Sequence, residues 1–466
     1  MKKKIKIFTI VFLCIALLLC TLLAFSPLFD GNDVSGYSPV GMNPPPESVS
    51  DPIANSKPEN LDSYKLAVEE ILENIDHLET SFAKNVNNEY IDQIAEKFGS
   101  DAVEKLANAL ADGKVDSKVL HEVIGYSEKA FVAILEADLE RTSVLKNTEN
   151  GVTDLVFVGD VTFNDGSSVM YTYEARKKGA KGLVSEEVLG IMNDATIAMA
   201  NNEFTLSKRG APIPDKMWTF RGNPENVNIY HEMGVDIVGL ANNHAFDYGP
   251  DSLTDTLLTL DNAGIAHVGA GENLNEAKAP YYYIVNGYRI AIVAGTAIDP
   301  YSTRGARENL SGVFQIFDTV SMQKEITAAK EKADYVFAYV HWGEEITFTL
   351  TYGQKHMGKA FVDAGADVVV GMHSHCMQGI EHYKGKLIVY SLGNFTFSPY
   401  DLTCAMLKST ITPDGELINT FYPMKQTNSF TFINSGEKGK EQMELLLELA
   451  INTDIAEDYV VTESKK

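Results

Sequence analysis

The 466-residue chain predicts an α/β fold. Four apolar runs of strand character, Leu155 to Val158, Ile237 to Leu240, Tyr335 to Val340 and Val368 to Val370, each lead into a polar motif. In order these are Gly159-Asp160, Asn242-Asn243-His244, His341-Trp342-Gly343-Glu344 and Gly371-Met372-His373-Ser374-His375. Helical spacing lies between the runs, with Leu253, Leu257, Leu258 and Leu260 striping the stretch from Pro250 to Gly264, and a further pattern from Ser321 to Lys332 after strand-like Ile290 to Val293. Open α/β sheets collect their ligands at the carboxyl ends of such strands.

From the amino terminus onward, Lys2, Lys3, Lys4 and Lys6 precede an apolar run from Ile7 to about Phe25. That length is close to the ~20 residues of a membrane-spanning helix, while Ala24-Phe25-Ser26 offers a small-x-small cleavage signal. Residues 1–30 are therefore expected as a membrane anchor or signal peptide. With the lysines inside, the main domain faces the extracellular side of the cell membrane on a single-pass anchor, or is secreted if the signal is cleaved. Residues 31–58, rich in Gly, Pro, Ser and Asn, read as a linker. Residues 59–150 read as a small helical module: Tyr64, Ala67, Ile71, Ile75 and Leu78 mark one face, and shorter patterns cover Tyr90 to Phe98, Ala102 to Leu110, Ser117 to Ile124 and Ser127 to Leu139. The main domain is expected over 151–435, with closing strands at Leu407 to Ile411 and Phe430 to Ile433. Residues 436–466 are expected as a C-terminal helix, from Glu441 to Ala450, and a tail.

A net charge of -25 and a pI near 4.8 argue against nucleic acid as a partner, since no basic surface is available to release counterions from phosphates. Cys376 and Cys404 lie outside the amino-terminal apolar segment. They could pair in an oxidising compartment or stand as two unrelated thiols.

The four polar motifs read together as a metal site. A single Gly-Asp after a strand is usually a turn. Four independent turns would not ordinarily each place Asp, Asn or His at the same end of a strand. His373 and His375 are two apart, so in an extended segment both imidazoles would point the same way and could serve two adjacent ions.

Further blocks sharpen this reading: Phe157-Val158-Gly159-Asp160-Val161, Asn202-Glu203 followed by Leu206-Ser207, Phe220-Arg221-Gly222-Asn223-Pro224, Asn242 through Gly249, and Gln378-Gly379-Ile380-Glu381 leading to Tyr390 through Phe395. From about Leu155 to Phe397 the chain resembles the bacterial CapA family, named for poly-γ-glutamate capsule synthesis, whose domain is similar to the calcineurin-like metallophosphoesterases. The resemblance implies a two-sheet sandwich flanked by helices. It also implies one ion held by Asn243, His341 and His373, a second by Asp160 and His375, and Glu203 as the bridging carboxylate. Such carboxylate and imidazole donors suit Mn, Fe or Zn better than Ca. On the same resemblance His244 is the general acid, Asp247 orients it, and Arg221 is a candidate anion clamp, while Trp342 and Glu344 support the site from behind. One departure stands out. The broader pattern begins Asp-x-His, whereas Asp160 is followed by Val161 and Thr162, so the second ion should be held more weakly, and Asn164 or Asp165 are the first places to seek a replacement ligand.

Two functions are compatible with this set. One is a metal-dependent phosphoesterase-like hydrolase acting outside the cell on an anionic envelope polymer or its precursors. The other is a non-catalytic metal- or polymer-binding component of a capsule synthesis or export complex. No ATP-binding ligase motif is recognisable, so monomer activation would fall to another protein.

Overall fold

The computed structural model describes residues 138–298 and 303–464 throughout and, before them, 92, 94–96, 99, 101–105, 121 and 125–135. The expected anchor and linker, and most of the expected helical module, lie outside the described residues. No helix among the described residues is long and apolar enough to cross a membrane.

In chain order the first strands are β1 (Thr142–Val144), β2 (Thr153–Val161), β3 (Ile197–Asn202), β4 (Thr205–Leu206), β5 (Arg221–Gly222), β6 (Ile237–Gly239) and β7 (Ala266–Val268). Next come β8 (Ala270–Gly271), β9 (Tyr281–Val285), β10 (Tyr288–Thr296), β11 (Gly312–Val313), β12 (Tyr335–His341), β13 (Val368–Met372), β14 (Ile380–Tyr383) and β15 (Lys386–Val389). The last are β16 (Asn394–Thr396), β17 (Leu402–Ile411), β18 (Leu417–Thr427), β19 (Phe430–Ile433), β20 (Thr453–Ile455) and β21 (Val460–Glu463). One sheet runs β1-β9-β10-β12-β13-β15-β14; the other runs β20-β21-β18-β17-β2-β3-β6-β7, with β16 added to β2 and β19 to β18. Parallel pairs fill the centres, β10, β12, β13 and β15 in one sheet and β2, β3, β6 and β7 in the other.

The apolar runs are continuous because these strands are covered on both faces. Alternate residues Leu155, Phe157, Ile197, Met199 and Ile237 face the other sheet, where they meet Phe337, Tyr339, Val368 and Val370. Phe157 and Phe337 stack across the interface with ring centroids 5.3 Å apart. The intervening Val156, Val158, Ala198, Ala200 and Val238 pack under helices through Val188, Met192, Ile229, Leu253, Leu257 and Leu260. On the far side Val293, Val336, Ala338 and Val340 pack under Met322, Ile326 and Phe361. The result is a helix–sheet–sheet–helix sandwich. Helix Pro250–Ala263 starts on proline and ends on Gly264 at φ 69°, and buries Leu253, Leu257 and Leu260. Leu258, expected in the same stripe, is 53% exposed, because a step of 100° from Leu257 carries it off the buried face.

Both ends of the domain reach beyond the expected boundaries. β1 pairs in parallel with β9, and Ser127 at the start of helix Glu128–Leu135 donates to Asp334 Oδ2 at 2.5 Å, so 125–144 belongs to the seven-stranded sheet rather than to a separate module. At the other end, helix Gly436–Leu449 leads into β20 and β21, and β21 pairs with β18. Both additions cover backbone that would otherwise be an open sheet edge. Cys376 and Cys404 are buried free thiols, not a pair.

Asp334 accepts from Ser127 Oγ and from the Arg289 backbone N–H at 2.8 Å, yet burial pushes its carboxyl above the ordinary range despite these bonds and the nearby Lys129 and Lys330. A carboxylate raised in the folded state contributes stability at low pH that is lost as pH rises through the raised value. Asp334→Asn is therefore expected to gain on the wild type as pH rises above the ordinary carboxylate value, in urea unfolding followed at several pH values. A gap that is flat with pH would contradict this.

Candidate metal centre

The ends of β2, β3, β6, β12 and β13 carry the site. Asp160 closes β2 beside Asn201 of β3 and Asn394 of β16, in direct register. This needs Gly159: a Cβ there would sit 1.7 Å from the Gly393 carbonyl oxygen, the same oxygen that accepts the Asp160 N–H at 3.0 Å. Glu203 follows β3 directly, its N–H bonded to Val161 O at 2.9 Å. His341 ends β12 opposite Met372 of β13, and His373 is the next residue.

Asp160, Glu203 and His341 are fully or almost fully buried, and their donor atoms lie within 4.8 Å of one another. The Asn201 amide nitrogen sits among them, 2.9 Å from Asp160 Oδ1, 2.7 Å from Glu203 Oε1 and 3.2 Å from His341 Nδ1. Asn242 in turn donates to Asn201 Oδ1 at 3.2 Å. His341 Nε2 meets Asn243 Oδ1 at 2.9 Å, His375 Nδ1 meets Asn394 Oδ1 at 2.8 Å, and His375 Nδ1 lies 3.3 Å from Asp160 Oδ2. The His341 and His373 rings are 4.6 Å apart between centroids. Thus Asp160, Glu203, Asn243, His341, His373 and His375 converge at one place. His341 groups with Asp160 and Glu203, while His373 and His375 group with Glu345.

His373 and His375 are not in an extended segment. Their φ values are 94° and 55°, left-handed backbone that costs a non-glycine residue of order 1 kcal/mol or more and is held here by its surroundings. The turn, not strand alternation, aims the two rings.

Of the ten buried side-chain polar atoms among the described residues that have no hydrogen-bond partner, three belong to this site: Asp160 Oδ2, Glu203 Oε2 and His373 Nδ1. Buried groups of this kind are nearly always satisfied, so these three fit residues able to hold a cation. The electrostatics agree. Burial, reinforced by the neighbouring Asp160, pushes Glu203 well above the usual carboxylate range. Burial also works to raise Asp160, but His375 and Asn201 outweigh it and hold that carboxyl low. Burial and the adjacent His375 depress His373 to about 3, and burial holds His341 well below the ordinary imidazole range, so both stay neutral and able to act as ligands. His375 is the exception: burial opposes its charge, yet the contact with Asp160 raises it. A carboxylate, carboxamide and imidazole set suits a divalent transition metal.

His244 stands beside this cluster. Its Nδ1 is 2.8 Å from Asp247 Oδ2, which also accepts the Phe220 N–H at 2.7 Å. Lys216 forms a buried ion pair with Asp247 Oδ1 and also donates to the Asn243 carbonyl. Burial lowers His244 even though Asp247 works to raise it. Phe220 stacks on His244 at 4.3 Å, Phe397 on His375 at 4.5 Å, and the two phenyl rings meet edge to face at 5.8 Å.

Other expected residues are placed elsewhere. Arg221 donates to the carbonyls of Arg209 and Gly210 at 3.1 and 3.3 Å and stacks over Tyr248 at 4.2 Å, with no bond to the cluster. Asn164 Oδ1 accepts from Thr162, and Asp165 Oδ1 accepts from the Asn223 N–H, so both are engaged in their own loop. Trp342 is buried and donates to Tyr390 O at 2.9 Å, while Glu344 is exposed. Sequence reasoning missed Asn201, Asn394, Lys216 and Glu345. Asn201 had a usable signal, since it too follows an apolar run, Ile197 to Ala200.

An α/β double sheet that gathers carboxylates, carboxamides and imidazoles at its parallel strand ends defines a protein built around a polar, cation-ready centre. More particularly, the chain belongs to the bacterial capsule synthesis protein family PGA_cap, whose family model matches residues 154–399. Among relatives, the capsule biosynthesis protein CapA of Bacillus anthracis is 31% identical over 265 residues, 55% of this chain and 63% of that protein. The PGA biosynthesis protein CapA of Bacillus subtilis is 34% identical over 269 residues, 57% of this chain and 68% of that protein. The alignment thus spans less than two thirds of the Bacillus anthracis protein. Among solved structures, the NAD nucleotidase of Haemophilus influenzae aligns with a TM-score of 0.35 and 11% identity, over 66% of this chain and 57% of that one, a likeness too weak to carry an argument.

Asn201→Asp would put a third carboxylate against Asp160 and Glu203. In chelator-treated protein it is expected to cost about 2 kcal/mol or more at pH 7, and less as pH falls and the cluster takes up protons. Thermal unfolding at pH 5 and pH 7.5 checks this; an equal loss at both would contradict it.

Proposed function

We propose that this chain is a metal-dependent phosphoesterase-like hydrolase, working extracytoplasmically in the synthesis, export or processing of an anionic capsule polymer. The observation that carries the proposal is the set of buried, unpartnered donors at Asp160, Glu203 and His373 immediately beside the His244–Asp247 pair. The polymer class is suggested by the names of the Bacillus relatives, and the placement by the lysines and apolar run at the amino terminus.

Asp160, Glu203, Asn243, His341, His373 and His375 are the residues that would hold one or two divalent ions. Bound ions of this kind supply Lewis acidity for hydrolysis at phosphorus. The remaining chemistry belongs to the chain. Asp247 fixes His244 through Nδ1, which leaves Nε2 to deliver a proton. As a water oxygen bonds to phosphorus and the ester P–O bond breaks, the departing oxygen takes the Nε2 proton of His244 in its imidazolium form, and the proton released by the attacking water restores that form. Lys216 pairs with Asp247 Oδ1 and so holds the carboxylate in place against His244. Phe220 and Phe397 shield the two imidazoles from bulk water.

The test uses purified full-length protein loaded with Mn and assayed on phosphodiesters of graded leaving-group pKa. Wild type is expected to turn over, and His244→Ala to lose about 10²- to 10⁴-fold on poor leaving groups while keeping its metal content. A metal-bound wild type that hydrolyses none of these esters would favour the non-catalytic assembly reading.

A further inference from the structure

Thr162 stands where the related pattern places an imidazole, and the structure engages Asn164 and Asp165 elsewhere. We propose that Glu345 is the additional ligand: with His373 and His375 it makes a one-carboxylate, two-imidazole site for a divalent transition-metal ion, adjacent to the Asp160–Glu203–His341 group. The proposal rests on the metal-binding reading above.

Three observations meet here. First, one donor atom from each of Glu345, His373 and His375 lies within 4.8 Å of the others. Second, His373 is 5% exposed and its Nδ1 has no hydrogen-bond partner, so this buried imidazole keeps a nitrogen free to bind an ion. Third, the loop that carries Glu345 is tied to the histidine turn. Ile346 donates its N–H to Ser374 O, the residue between the two histidines, at 2.8 Å. Thr347 O accepts from Gln378 Nε2 at 2.9 Å, and Gln378 Oε1 accepts from Gln354 Nε2 at 2.8 Å. Gln354 belongs to the capping box with Thr351 that starts helix Tyr352–Asp363, so the loop is fixed at its far end as well. Gly343 at φ 94° turns the chain out of β12 into this loop.

Chemistry favours a cation over a structural role for Glu345. Its side chain is exposed, and its charge acts on Glu203 and His375 of the cluster. Asp160, Glu203 and Glu345 together carry up to three negative charges, which two divalent ions would offset. An exposed carboxylate on the open side also gives one ion a route in and out. This ion is therefore the exchangeable one, and the buried ion at Asp160, Glu203 and His341 the retained one.

The test is equilibrium Mn2+ titration of the full chain, with free Mn2+ read by electron paramagnetic resonance, for wild type, Glu345→Gln and Glu344→Gln. Glu345→Gln is expected to weaken one class of ion by roughly tenfold or more and leave the other unchanged. Glu344→Gln, on the same exposed loop, should match wild type in both. Unchanged stoichiometry and affinities in Glu345→Gln would overturn the assignment of Glu345 while leaving the metal reading standing. A wild type that binds no Mn2+ would overturn both.

Discussion

Two carboxylates buried against one another cannot both stay ionised unless a positive charge joins them. Asp160 and Glu203 are in that position, each fully buried, and much of the site can be understood as a response to it. Asn201 offers one amide to both, His375 lends partial compensation to Asp160, and Glu203 is pushed toward its protonated form. Glu203 Oε2 still has no hydrogen-bond partner, and Asp160 Oδ2 has only the 3.3 Å approach of His375 Nδ1. A divalent cation resolves the conflict in one step, which is why the metal reading follows from the electrostatics and does not depend on weak structural likenesses.

The fold supplies this arrangement through topology. Parallel strands in both sheets end at the same edge, so their final residues meet without any one strand carrying more than one or two donors. The close passage of Gly159 against Gly393 brings β16 beside β2, and with it Asn394, which orients His375. His244 is oriented in a comparable way by Asp247, itself paired with Lys216 from the preceding loop. Donors and proton-handling residues are thus each backed by a second polar group, a common arrangement around metal sites.

Much of this was legible in the sequence because its signals were local. Leu155 to Val158 and Tyr335 to Val340 are apolar without interruption since both faces of their strands are buried, and the residue after each run lands at the sheet edge. What was not legible depended on contacts between distant segments. Nothing in the local pattern of Lys216 foretells its pairing with Asp247, and Glu345 reaches the histidines only because Ile346 bonds to Ser374. The His373–His375 turn was misread as extended because spacing of two suits a strand, whereas positive φ at both residues is imposed by packing. Arg221 was named as a candidate anion clamp by residue type, and its guanidinium rests on two carbonyls and the face of Tyr248, contacts that no local pattern announces. β1 and β21, outside the expected main domain, were not legible because they are short and acquire their strand character from the strands they pair with.

The most direct test is anomalous diffraction from crystals of the protein grown with Mn2+. The account predicts a strong peak within bonding distance of Asp160 Oδ2, Glu203 Oε2 and His341. An absence of any peak there, with Asp160 and Glu203 instead sharing a proton at neutral pH, would contradict it.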